Sequence, residues 1–380
     1  MQTLLVTGMQ RSGTTLLEKL LSNHSRISIL SQPFPLFLVE LKRRFLRGLG
    51  EPAAPYPLGD LFLEARYDAE DVRRFFADLS LTASDVREIF AGMTGFTGQY
   101  TRFAPEQIDR VLATLEPGDP ASILAQLYRS LAHKPDADYV GGKETLWEEM
   151  LPFLLGEGAA GVIILRDPRD VLASLNHGRG AEHGGRLKPT LFNIRNWRKS
   201  AAFALHLQDH PRFLWLRYED LVTRPREVLD RLATFLDVEP FADRLFSEGI
   251  RDQSGQLWLG NSSHQPHRGI DASSVASHRE TLPPDVTRYV DATCWTELRR
   301  LGYETDVEWA EAPGVIRGFA DPYEVTREEL RGFAGDPSRA AEELRRCALL
   351  NHGSHDGNKD EARRFFLFED VFAQLRAVLP

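Results

Sequence analysis

The chain has 380 residues but just two cysteines, Cys294 and Cys347, too few for a disulfide framework, and this points to a reducing, cytoplasmic setting. No apolar run approaches the roughly 20 residues that span a bilayer, so no membrane span is expected. Nor do the first residues read as a signal peptide, because a short strand pattern starts at Thr3 and is cut at once by Gly8. Positive charge is not in excess: 46 Lys and Arg against 55 Asp and Glu leave a formal net charge of -9. Nothing global therefore draws the chain to nucleic acid or an anionic surface, and any bound anion must be held by local basic groups. Internal repeats and low-complexity segments are also lacking. What remains, 42% hydrophobic and 27% charged, is the composition of a globular protein with a sizeable core.

Periodicity organises that core into alternating elements. Thr3 to Thr7 reads as a short buried strand, the next six residues as a glycine turn, and Thr14 to Asn23 as a helix with Leu16, Leu17, Leu20 and Leu21 on one side. Ile27 to Leu30 is a second strand and Pro35 to Leu46 a second helix. Further strand patterns lie at Asp138 to Gly141, Gly161 to Leu165 and Phe213 to Leu216, each separated by helical text. This alternation predicts a doubly wound parallel α/β sheet, P-loop-like at its start. Residues 1–303 are read as one domain, with 48–135 a helical insertion and 304–380 a helical C-terminal extension packed on it. Within the insertion, helices are expected at Asp71 to Leu79, Ser84 to Phe90, Pro105 to Leu115 and Pro120 to Leu131, with Ser84 and the prolines as helix starts. A single helix is expected from Pro284 to Leu301. Leu191, Ile194, Trp197 and Ala201 read as core, Phe365, Phe366 and Phe368 as a docking face, and Lys42 to Arg44 as a solvated surface.

The first loop, Gly8-Met9-Gln10-Arg11-Ser12-Gly13-Thr14-Thr15, fits the phosphate-loop pattern G-x-x-x-x-G-K-[ST] at each fixed position except the lysine, where Thr14 stands. Backbone N–H groups at a helix N-terminus still attract an anion, and Arg11 can supply the missing charge. Loss of the lysine that contacts β and γ phosphates argues against ATPase or kinase chemistry. A second cluster, GVIILRDPRDVLAS, ends a buried strand in Arg166 and Asp167, with Pro168 opening a helix that carries Ser174. Lys143 and Tyr218 follow two further strands. Four strands thus end in polar groups suited to an anion, at the edge where open α/β sheets bind ligands. The pairs His264 with His267, and His352 with His355, read as loop histidines, and no metal requirement follows.

Through QRSGTT, LRDPRDVLAS and LRYEDLVTRP, from Thr3 to about Tyr303, the chain resembles the sulfotransferases that use 3′-phosphoadenosine 5′-phosphosulfate, in their bacterial and tyrosylprotein-type branch. The resemblance implies that Arg11, Ser12, Gly13, Thr14 and Thr15 hold the 5′-phosphosulfate, and that Arg166 and Ser174 hold the 3′-phosphate. It implies further that Tyr218, Asn261, Ser262 and Ser263 line the nucleotide site and that Lys143, in GGKET, reaches the sulfonate. Arg179 is a further phosphate-binding candidate, with its spacing off by one. The acceptor implied is a small-molecule hydroxyl or amine. The sequence departs from the pattern at Gln32, where the tyrosylprotein branch has a glutamate base. His177 is the first candidate for that base, ahead of Glu144 and Glu40. Two other readings stay open here: a phosphate-loop kinase, and a nucleotide-binding protein without catalysis.

Overall fold

The computed structural model describes all residues except 51–61, 63–65, 97, 179–187, 261–268, 335 and 354–358. Its centre is one parallel sheet of five strands, β1 (Gln2–Thr7), β2 (Ile27–Ser31), β3 (Tyr139–Lys143), β4 (Ala160–Leu165) and β5 (Phe213–Arg217), in the order β2-β3-β1-β4-β5. Strands of such a sheet are covered on both faces and so read as continuous apolar runs, and all six residues of β4 are buried. Leu4, Val6, Val162 and Ile164 face one side, and Leu5, Ile163 and Leu165 face the other. The expected doubly wound class is the one observed. Strands β3 and β5 run on to Lys143 and Arg217, beyond the bounds expected from the sequence.

Helices α1 (Thr14–Ser22) and α2 (Phe37–Gly48) follow the first two strands, and the insertion holds α3 (Ala69–Asp78), α4 (Ala83–Met93), α5 (Pro105–Ala113) and α6 (Pro120–Leu131). Thr82, and not Ser84, caps α4, because its hydroxyl accepts from Asp85 N while the Asp85 carboxylate accepts from Thr82 N. Helix α7 (Leu151–Gly156) leads into β4, and α8 (Pro168–His177) and α9 (Thr190–Leu207) lead towards β5. Then come α10 (Tyr218–Thr223), α11 (Pro225–Leu236), α12 (Arg244–Ser247) and α13 (His278–Thr281). The helix expected from Pro284 to Leu301 is two, α14 (Pro284–Thr293) and α15 (Trp295–Arg300), broken at Cys294. At the break the Thr293 hydroxyl donates to the carbonyls of Tyr289 and Val290, a local bond that competes with the helical ladder.

The C-terminal region folds as α16 (Ala312–Gly318), α17 (Glu328–Ala334), α18 (Ser338–His352), α19 (Lys359–Phe366) and α20 (Glu369–Arg376). Together with the sheet it buries α9 on nearly every side. Leu191, Ile194, Trp197 and Ala201 are core as expected, but Arg195, Arg198 and Lys199 are buried too. Their charges are paired: Arg195 and Arg198 with Glu343 of α18, and Lys199 with Glu149 at 2.9 Å. Glu149 also pairs with Lys42 at 2.9 Å, so Lys42 is buried and not the solvated residue expected from the run Lys42 to Arg44. Phe365 and Phe366 are buried in the same core cluster.

From β1 the chain passes to β2 on one side, and later from β4 to β5 on the other. The change of direction opens a crevice between the carboxyl ends of β1 and β4, the position where ligands bind in open α/β sheets.

Candidate active site

The loop from β1 to α1 lies at that crevice. Gly8 has φ 149°, and a Cβ there would stand 2.5 Å from the Ile164 carbonyl oxygen, so the loop can approach β4 only through glycine. Gly13 has φ 94° and occupies the N-cap of α1 without a side chain, where a Cβ would stand 2.3 Å from the Tyr218 ring. The first turn of α1 thus presents uncapped N–H groups and the positive end of its dipole beside Tyr218. Ser12 is buried, and its Oγ has no hydrogen-bond partner among the described residues. Thr14 is buried and Thr15 half-buried in the same turn.

Arg11 closes the loop. Its Nε donates to Ser174 Oγ at 3.0 Å, which ties the loop to α8. Burial first, and Arg166 second, lower the Arg11 guanidinium to about 10, while Tyr100 acts the other way. Two cations therefore stand within each other's field, and no ion pair joins either to a carboxylate among the described residues. That is the electrostatics of an anion site.

Arg166 is held on all sides. Its Nη1 donates to the Arg11 carbonyl at 3.1 Å and its Nη2 to the Ser274 carbonyl at 2.6 Å. Its guanidinium lies 4.7 Å from the Tyr218 ring centroid, and its own carbonyl accepts from Trp197 Nε1 at 2.8 Å. Its Nε is buried without a partner among the described residues. The neighbouring ion pairs involve Arg169 instead, to Asp167 at 2.6 Å and Asp291 at 3.0 Å. The Tyr218 hydroxyl meets Ser274 Oγ at 2.7 Å. Ser274 is brought there by Asp170, whose carboxylate accepts from Ala276 N at 2.8 Å and His278 N at 2.9 Å and meets His278 Nδ1 at 2.7 Å.

Lys143 ends β3 beside this cluster. The strand's continuation is stitched to the loop by Glu144 N donating to the Val6 carbonyl at 2.9 Å and Leu146 N to the Gly8 carbonyl at 3.2 Å. The Lys143 ammonium donates to Gln32 Oε1 at 2.7 Å and lies 5.3 Å from the Tyr100 ring centroid. Burial pushes it below the usual lysine range, against the pull of Glu18 and Glu144.

Arg11, Ser12, Gly13, Thr14, Thr15, Arg166, Ser174 and Tyr218 thus meet at one edge, with Lys143 adjoining. The hydrogen bonds described for the base candidates lead to other groups. His177 is exposed at the end of α8, about 4.5 Å along the helix beyond Ser174, and it meets the Tyr323 hydroxyl at 3.1 Å. Glu144 is buried, raised by that burial, and accepts from Phe34 N at 2.7 Å. Glu40 pairs with Arg44 and Arg47 along α2. Arg179, Asn261, Ser262 and Ser263 lie outside the described residues. Sequence reasoning missed Ser274, Asp170 and Tyr100. Asp170 sits inside the motif LRDPRD and was legible as a polar residue of the first turn of α8, whereas Ser274 and Tyr100 lie in stretches without periodicity.

These features define an α/β protein with an anion cradle at its switch point. Residues 3–243 match the sulfotransferase family, and the chain belongs to that family. Among solved structures, the chain is similar to a sulfotransferase domain from the curacin biosynthetic pathway at 20% identity, with 80% of this chain and 98% of that one covered and a TM-score of 0.42. It is also similar to retinol dehydratase in complex with androsterone and inactive cofactor PAP, at 17% identity, 81% and 82% coverage and a TM-score of 0.38. A sulfotransferase from Alicyclobacillus acidocaldarius matches at 13% identity, 79% and 94% coverage and a TM-score of 0.36. No curated protein matches the chain. Among the described residues no helix is long and apolar enough to cross a membrane.

Proposed function

We propose that the chain moves a sulfonate from 3′-phosphoadenosine 5′-phosphosulfate to a hydroxyl or amine of a small molecule, in a cytoplasmic setting that its two free, buried cysteines fit. The observation that supports this most is the meeting of Arg11 and Arg166 beside two buried polar atoms with no described partner, Ser12 Oγ and Arg166 Nε, at the sheet edge where β3 also ends in Lys143. A nucleotide with two separate anionic groups fits this cradle. The donor supplies an activated sulfonate on a phosphate leaving group. Ser12 to Thr15 would hold its 5′ end, and Arg166, Ser174 and Tyr218 its 3′-phosphate. Arg11 and Lys143 bring fixed positive charge to where the leaving oxygen becomes negative, an arrangement that costs no reorganisation at the moment of reaction. Thr14 in place of the phosphate-loop lysine disfavours the kinase alternative. The direct test is incubation with labelled donor and a panel of phenols, alcohols and amines. Labelled sulfonate should appear on an acceptor, and binding without any transfer across the panel would favour the catalytically silent reading.

Two expected results follow for the donor site. Arg166→Ala removes charge-assisted bonds of about 1.5–3 kcal/mol, so bisphosphate affinity should fall by about 10- to 100-fold, with a smaller effect on turnover once the site is saturated. Calorimetric titration beside saturation kinetics separates the two. The second concerns pH. A lysine lowered by burial is charged at low pH and loses its charge as pH rises through the lowered value. The kcat/KM for donor should therefore fall on an alkaline limb below the ordinary lysine value of about 10.4. Lys143→Arg should move that limb upward, and a wild-type profile flat to that pH would remove Lys143 from the account.

A further inference from the structure

Tyr100, a residue of the insertion, stands beside the Lys143 ammonium and is 67% exposed, the most exposed large apolar side chain among the described residues. Its position is set by four hydrogen bonds that pin its segment to the end of β2. Thr101 N donates to the Ser31 carbonyl at 2.8 Å, and Ser31 N to Thr101 Oγ1 at 3.0 Å. Gln32 Nε2 donates to the Gly98 carbonyl and Gln99 Nε2 to the Pro33 carbonyl, both at 2.9 Å. The same Gln32 holds the Lys143 ammonium on its other side. One face of the Tyr100 ring therefore meets Lys143, which is 1% exposed, and the rest of the ring meets solvent. Arg11 lies within the electrostatic reach of the phenol.

We propose that Tyr100 is the water shield of the transfer site, the ring that separates Lys143 and the sulfonate beside it from solvent and that receives the acceptor on its outer face. This rests on the sulfonate-transfer reading above. A phosphosulfate can pass its sulfonate to water as well as to an acceptor. In that side reaction a water oxygen forms the new S–O bond, and the bond from sulfur to the bridging phosphate oxygen breaks with its electron pair on the phosphate. Both water protons are lost to solvent, giving sulfate and the bisphosphate. Excluding water from such a site is what prevents this loss. An apolar ring does so while leaving the Lys143 charge intact, since a cation is stabilised over an aromatic face. The role belongs to the ring and not to the hydroxyl.

The test needs no acceptor. Sulfate release from the donor is measured for wild type, Tyr100→Ala and Tyr100→Phe, beside the affinity of each for adenosine 3′,5′-bisphosphate. Tyr100→Ala should release sulfate about tenfold faster with bisphosphate affinity held within about twofold, and Tyr100→Phe should behave as wild type. In parallel, labelling of Lys143 by an amine-reactive reagent, read by peptide mass spectrometry, should be faster in Tyr100→Ala. Sulfate release and labelling unchanged in Tyr100→Ala, or raised equally in Tyr100→Phe, would overturn the proposal. Failure of the wild type to bind the bisphosphate would count against the sulfonate-transfer reading alone, because the labelling reports the cover over Lys143 without the donor.

Discussion

Replacing Lys143 with alanine should lower kcat by about 10²- to 10³-fold, the range seen when one preorganised charge-stabilising donor is removed. The Kd for adenosine 3′,5′-bisphosphate should change only a few-fold. The asymmetry follows from where the residue stands: buried at the end of β3, held by Gln32 Oε1 and the Tyr100 ring, and apart from Ser174 and Tyr218, which meet Arg11 and Arg166. A group that acts on charge developing in the transition state changes turnover more than ground-state binding. Stopped-turnover kinetics beside a bisphosphate titration reads both, and equal losses in the two would assign Lys143 to binding.

Glu343→Ala should be the most damaging change outside the site. The carboxylate receives Arg195 at 2.9 and 2.8 Å and Arg198 at 2.6 and 2.9 Å, all four bonds buried. Burial alone would raise its pKa, but Arg198 and Arg195 outweigh that and hold it at about 2. Removing it leaves two buried guanidiniums without their shared partner, at a cost of about 3–5 kcal/mol. A thermal melt should show the loss. Glu343→Gln should lie between, keeping acceptor oxygen but no charge. Because the carboxyl is lowered in the folded state, its contribution is complete above the unfolded value near 4.3 and is lost as pH falls towards 2. The damage reaches the site as well. Trp197, on the same helix as both arginines, supplies the bond to the Arg166 carbonyl, so bisphosphate affinity should weaken with stability.

This coupling was not legible in the sequence, and the reason is physical. The apolar stripe of α9 announces one buried face through its period, but nothing local announces that Arg195, Arg198 and Lys199 are buried too. Their partners, Glu343 and Glu149, lie far off in the chain. The same holds for Lys42, whose partner Glu149 comes from beyond the insertion. By contrast, the sheet and the glycine loop depend on short-range signals: apolar strands of five or six residues, glycines at positive φ, and proline at the first turn of α8. Thr82 as cap of α4 was readable from Asp85 three residues on, a pairing that outranks the isolated Ser84. Ser274 and Tyr100 reach the site on irregular segments, where side-chain bonds from Asp170 and Gln32 set the course of the backbone and no period marks them.

The most direct test of the anion cradle is a calorimetric titration, with and without Mg²⁺, comparing adenosine 3′,5′-bisphosphate with ATP in wild type and Arg166→Ala. The account predicts that the bisphosphate binds the wild type well ahead of ATP and that Arg166→Ala loses most of that preference. Tight Mg²⁺-dependent ATP binding, with no preference for the bisphosphate, would contradict it.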